Sequence, residues 1–128
     1  MNLDPFIRVN DLPFTASAED VRRLHGKPFK TGRNSVGLNE LDYGSVIYRF
    51  QDCGRLEEVT MQASVVIIGQ RSIGFDALAF FIHAEDDDCF ERAGFLVSPR
   101  FGIAFDPKEP FWVTALAAHC LDEWRRLS

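Results

Sequence analysis

The sequence predicts an α+β fold: a mostly antiparallel sheet with about three helices, in one domain spanning residues 1–128. Three observations lead there. Two runs of period-2 hydrophobicity, "SVIYRF" and "RLEEVTMQASVVIIG", are joined by the short turn "DCG", which is the pattern of an antiparallel hairpin. Helical-period segments stand before, between and after the strand runs. The chain shows no internal repeat and no low-complexity linker, so hairpin-linked strands with intervening helices favour one layered domain.

The first element is a helix. In "TASAEDVRRLHGKP", Thr15 and Ser17 are cap candidates, Glu19 and Asp20 lie where the macrodipole favours acids, and Gly26 before Pro28 stops the run. Residues 29–42 are polar and support only a short strand or a loop. The hairpin of residues 45–68 is expected at the sheet centre. Val59, Met61, Ala63, Val65 and Ile67 share one face, and Glu58, Thr60, Gln62 and Ser64 share the other. From Val65 to Ile68 both faces turn apolar, as in a strand covered on both sides.

"FDALAFFIHA" then switches to helical period, with Phe75, Leu78, Ala79 and Ile82 on one stripe. "FLVSPRFGIAF" reads as two short strands turning at Pro99-Arg100. The last element is expected to be a helix, with Val113, Leu116, Ala117, Cys120, Trp124 and Leu127 forming its apolar stripe.

Composition narrows the classes of function. With 46% hydrophobic residues, 26% charged and twelve Phe in 128 residues, a real core is expected. No apolar run reaches the roughly 20 residues that span a bilayer, and "MNLDPFIRVNDLPF" does not read as a signal peptide, so a cytoplasmic location with no membrane partner is expected. Three scattered cysteines supply neither a disulfide framework nor a zinc ribbon. The net charge of −5 disfavours nucleic acid as a partner. That charge is uneven: residues 76–109 hold eight acids against three bases, and residues 22–33 hold five bases and no acid. No cofactor, metal site or catalytic residue is expected. His25, His83 and His119 each have an ordinary place in their own element, apart from Cys53, Cys89 and Cys120. "GKPFKTGR" lacks the order of a phosphate-binding loop.

The four acids of "HAEDDDCFE" are the best lead. An unbroken helix would turn Asp86 into the core, at several kcal/mol unless partnered. A break is expected instead. Asp88 and Glu91 have capping-box spacing, beginning a short helix that Gly94 ends, while Glu85, Asp86 and Asp87 form a solvent-facing corner. Phe80 sits opposite the apolar stripe, pointing outward beside the acids. Together Phe80, Glu85, Asp86 and Asp87 are the candidate partner-binding residues.

Two partial resemblances bear on function. Residues 15–60, with "TASAEDVRRLHGKP" and "YGSVIYRFQDCGRLEEVT", resemble the helix, turn and hairpin of the β-lactamase-inhibitor-protein and small outer-membrane-assembly lipoprotein superfamily. The second half, "SIGFDALAFFIHAEDDDCFERAGFLVSPRFGIAF" through "WVTALAAHCLDEW", is similar to the small cytoplasmic immunity proteins encoded beside bacterial polymorphic toxins. That resemblance implies a non-catalytic protein that neutralises a cognate toxin, without transferable binding residues; from the acid run itself, the expected contact is an acidic surface meeting a basic one. The alternatives are a small-ligand domain or enzyme using a pocket on the sheet face with His83 and nearby carboxylates, and an oligomer burying its surplus phenylalanines.

Overall fold

The computed structural model describes residues 1–126. Its α+β architecture rests on two sheets. The smaller one is built from β1 (Asn2–Asp4), β2 (Arg8–Val9), β3 (Leu12–Pro13), β8 (Val65–Ile68) and β9 (Arg71–Gly74), in the order β3-β2-β1-β8-β9. Only its β1–β8 pairing is parallel.

The larger sheet has eight strands. They are β4 (Lys30–Arg33), β5 (Asn39–Asp42), β6 (Val46–Phe50), β7 (Leu56–Gln62), β10 (Phe90–Arg92), β11 (Phe95–Ser98), β12 (Ile103–Phe105) and β13 (Trp112–Leu116). The order is β10-β11-β12-β13-β7-β6-β5-β4, antiparallel throughout. Residues 29–42, too polar to assign beyond a short strand or loop, supply a hairpin at one edge.

Paired residues of an antiparallel ladder share a face, so the register sorts the large sheet into two sides. One side carries Leu41, Tyr48, Val59, Ala115 and Ile103, which pair in sequence across five strands. These residues enter the main core with Leu3, Val9 and Val66 of the small sheet and with Phe75, Leu78 and Ile82 of α2 (Phe75–Glu85). The opposite side carries Ile47, Thr60, Thr114, Ala104 and Val97. There a smaller cluster of Val97, Ala104, Leu116, Ala117 and Cys120 packs beneath α3 (Leu121–Arg126).

α1 (Ala18–His25) forms where its caps place it. Ser17 Oγ accepts from the Asp20 N–H, Asp20 answers on the Ser17 N–H, and Gly26 ends the helix at φ 80°. α2 buries the expected stripe through Phe75, Leu78 and Ile82.

Three expectations fail. The segment expected as a long terminal helix begins as β13, a strand at the centre of the large sheet, and is helical only at 121–126 after a single 3-10 turn at Ala118–Cys120. Val113, Thr114, Ala115 and Leu116 are all buried, so both faces of β13 are covered and its alternation is hidden. Leu127 lies outside the described residues. The 45–68 run is not one hairpin either: β7 stops at Gln62, and Val65–Ile68 crosses to the small sheet.

The short helix expected from Asp88 to Gly94 is instead a hairpin, with Phe90, Glu91 and Arg92 paired to Val97, Leu96 and Phe95. Ala93 and Gly94 form its tip at φ 52° and 84°. Two successive positive-φ residues make the tight turn that suits hairpin twist, and Gly94 supplies the freedom one of them needs.

Candidate functional site

The polar side of the large sheet opens into a cleft of about 790 Å³. Its floor comes from β6, β7 and β13. Its walls are the 34–38 turn, the 106–112 loop, Phe95, and Glu123 and Trp124 of α3.

An irregularity in β7 sets the floor. Arg49 pairs with Glu58 while Phe50 pairs with Leu56, leaving Glu57 as an extra residue. A bulge of this kind breaks strict alternation, and both Glu57 and Glu58 line the cleft. Glu57 is 2% exposed. Its carboxylate meets His119 Nε2 and lies 3.6 Å from Arg55, and its carbonyl accepts the Ala117 N–H at 2.9 Å. The bulge thereby clamps the 3-10 turn that leads into α3.

Glu58 holds the other half. It accepts from Trp124 Nε1 at 3.1 Å and Cys120 Sγ at 3.6 Å, and it pairs with Arg49 at 3.3 Å. Arg49 also donates to Glu40 at 2.7 Å and to Thr60 Oγ1 at 2.6 Å, and Thr60 Oγ1 lies 2.8 Å from Thr114 Oγ1. The floor is thus a connected polar network reaching from β5 to α3. Among the described residues, no buried side-chain nitrogen or oxygen lacks a partner. Burial, with Glu58 and Glu57 beside it, pushes the Cys120 thiol well up, so it stays protonated.

The acid run behaves differently from its expectation. Asp86, expected in solvent, is 2% exposed. It follows the last residue of α2, and its carboxylate accepts from Ser98 Oγ at 2.6 Å and from the Arg100 and Asp88 N–H groups at 3.0 and 2.9 Å. Burial alone would raise its carboxyl, but those bonds and the Arg100 guanidinium more than offset that and hold it below the ordinary value. The helical phase did aim Asp86 inward; it is partnered there rather than expelled.

Asp88 begins no helix and is exposed, as is Asp87. Glu85 is half-buried and pairs with Arg71 at 3.1 Å. Phe80 stands 80% exposed on the outer face of α2. That face and the cleft are on opposite sides of the large sheet, because α2 packs into the core on the Val59 side and the cleft opens on the Thr60 side.

One further expectation gives way: His83 Nδ1 lies 3.5 Å from Cys89 Sγ. Burial first, then the carboxylates of Asp86, Asp87 and Asp88, raise the Cys89 thiol, which is the reverse of nucleophile activation. Among the described residues no group of three or more His, Cys, Asp or Glu is placed to hold a metal ion.

Sequence reasoning missed the cleft residues, although the polar face of β7 was a signal for them. Compared with known protein families, curated proteins and solved structures, the chain matches none.

Proposed function

We propose that this protein is a non-catalytic binding module, an immunity- or inhibitor-type protein that holds a cognate toxin in the cytoplasm by receiving part of it in the sheet-face cleft. The observation that supports this is the cleft itself: a large concavity over a polar network whose members already bond one another. A catalytic floor keeps a base, a nucleophile or an unpaired donor aimed at its substrate. Here Arg49, Glu57, Glu58, Thr60 and Thr114 are tied into the sheet, and the Cys120 thiol is held protonated. Such a floor suits a rigid template that a partner fills. Among the described residues no helix is long and apolar enough to cross a membrane, which fits that setting.

A second reading places the partner on the outer face of α2, where Phe80 is exposed and Asp87 adds charge. The cleft volume also falls in the range that small molecules occupy.

The test starts from the protein encoded beside this one. Its toxicity on expression, and relief by co-expression, would support the reading, with the complex measured by titration calorimetry. Val36 lines the cleft and is 63% exposed, so Val36→Arg blocks it without disturbing the core. We expect Val36→Arg to weaken the complex at least about tenfold and Phe80→Arg to leave it unchanged. The reverse pattern would move the interface to α2, and the absence of any complex or protection would remove the immunity reading.

A further inference from the structure

We infer that the group the cleft receives is the guanidinium of an arginine side chain; this deepens, and rests on, the reading of the cleft as the partner's point of entry. Six carboxylates line the cleft: Asp52, Glu57, Glu58, Asp106, Glu109 and Glu123. Four already have an arginine. Asp52 is held by Arg33, Glu57 by Arg55, Glu58 by Arg49 and Glu123 by Arg126.

The other two, Asp106 and Glu109, have no ion-pair partner among the described residues, and Lys108 between them pairs with neither. They sit on one short loop. The Glu109 N–H donates to the Asp106 carbonyl at 3.0 Å, and the Trp112 N–H donates to the Glu109 carbonyl at 3.3 Å. Asp106 Oδ1 also accepts the Lys108 N–H at 2.9 Å, so the loop sets two carboxylates without a cationic partner, one of them anchored, beside Trp112 in the cleft lining. Trp124 lines the same cleft, with Phe95 against it at a centroid distance of 5.3 Å.

Aromatic faces next to free carboxylates recognise an organic cation, through ring quadrupoles and ion pairing together. A guanidinium suits this lining better than an ammonium. It is planar, stacks on indole, is weakly hydrated, and can use two donors on one carboxylate. The charge pattern also says where the cation stops: Arg49 occupies the floor, so the incoming group stays at the level of the tryptophans and the 106–112 loop.

The chain has two tryptophans, and both line the cleft, so fluorescence excited selectively in tryptophan, away from Tyr43 and Tyr48, reports on this site. The probes are N-acetyl-arginine amide, its lysine counterpart and its citrulline counterpart, which keeps the shape of arginine without the charge. Arginine amide should produce a saturable change with a dissociation constant on the order of 1 mM. The lysine probe should bind several-fold more weakly, and citrulline should produce no saturable change. Asp106→Asn with Glu109→Gln should weaken arginine binding roughly tenfold at an unchanged melting temperature.

Citrulline binding as well as arginine, lysine binding as well as arginine, or no saturable change with arginine would overturn the assignment. A toxin complex insensitive both to arginine amide and to the double substitution would overturn it too, while leaving the immunity reading in place. Saturable arginine binding without any toxin complex would do the opposite.

Discussion

Replacing Asp86 tests how the second half of the chain is held together. Its carboxylate joins three segments: the end of α2, the Asp88 N–H that opens the approach to β10, and the Ser98–Arg100 turn between β11 and β12. Asp86→Ala leaves the buried Ser98 hydroxyl and the Arg100 N–H without their acceptor. A stranded buried donor costs about 1–3 kcal/mol, and bonds to a charged acceptor lie at the upper end. The loss should total roughly 3–5 kcal/mol, a large part of the stability of a domain this size. Asp86→Asn keeps an acceptor oxygen but not the charge, so about half that loss is expected.

The pH dependence has a definite sign. The folded-state carboxyl is held below its ordinary value, so its contribution is complete above about pH 5, shrinks as pH falls through the ordinary carboxyl range, and is lost below the folded value. Urea unfolding at several pH values reads this directly. The gap between wild type and Asp86→Asn should be widest near neutrality and narrow toward pH 3. An Asp86→Ala protein within about 0.5 kcal/mol of wild type would show that the buried carboxylate does not hold these segments together, as would a gap independent of pH.

Other perturbations separate the contributions of the β10–β11 hairpin, α3 and the cleft floor. Asp88→Ala should change stability by less than about 0.5 kcal/mol in urea unfolding, because Asp88 caps no helix. Ala93→Asn should stabilise by about 0.5–1 kcal/mol in the same assay, since Asn tolerates the positive φ of the hairpin tip better than Ala. Trp124→Ala should cost about 2 kcal/mol, less than a core tryptophan would, because Trp124 is half-buried and contributes one hydrogen bond to Glu58. Arg49→Met should cost about 2–3 kcal/mol by thermal unfolding, since Glu40 loses its bonded arginine while Glu58 keeps only the Trp124 and Cys120 donors.

Much of the fold was legible because local and tertiary signals agreed. Ser17 with Asp20 and Gly26 bounded α1 without help from the rest of the chain, and the 3.6-period of Phe75, Leu78 and Ile82 marked the buried face of α2. The misreadings arose where two patterns fit the same residues. Val113, Leu116, Ala117, Cys120 and Trp124 satisfy a helical stripe, yet "WVTAL" satisfies a strand buried on both faces equally well, and only the neighbours β7 and β12 decide between them. Asp88 and Glu91 imitate a capping box, but the turn at Ala93 and Gly94 overrides it. For Asp86 the conflict itself was visible. Its resolution was not, because Ser98 and Arg100 are 12 and 14 residues further along the chain and meet it only after β11 has paired.

The cleft was hidden for a related reason, and its origin shows how closely the site depends on one inserted residue. In a regular strand Glu57 and Glu58 would face opposite sides of the sheet, and one would enter the main core among Val59, Tyr48 and Phe50. With Glu57 as an extra residue, both carboxylates reach the cleft. Their tasks then divide. Glu57 fixes the 3-10 turn through His119 and through the Ala117 N–H, while Glu58 fixes Arg49 and the Trp124 indole. The first sets where α3 starts, and the second sets which way its tryptophan faces. Neither carboxylate is free to meet a partner, so the charge available for recognition is displaced outward to Asp106 and Glu109. A cleft organised in this way spends its buried acids on shape and leaves the acids of the 106–112 loop for binding, which is why the partner-facing chemistry lies on that loop and not at the floor.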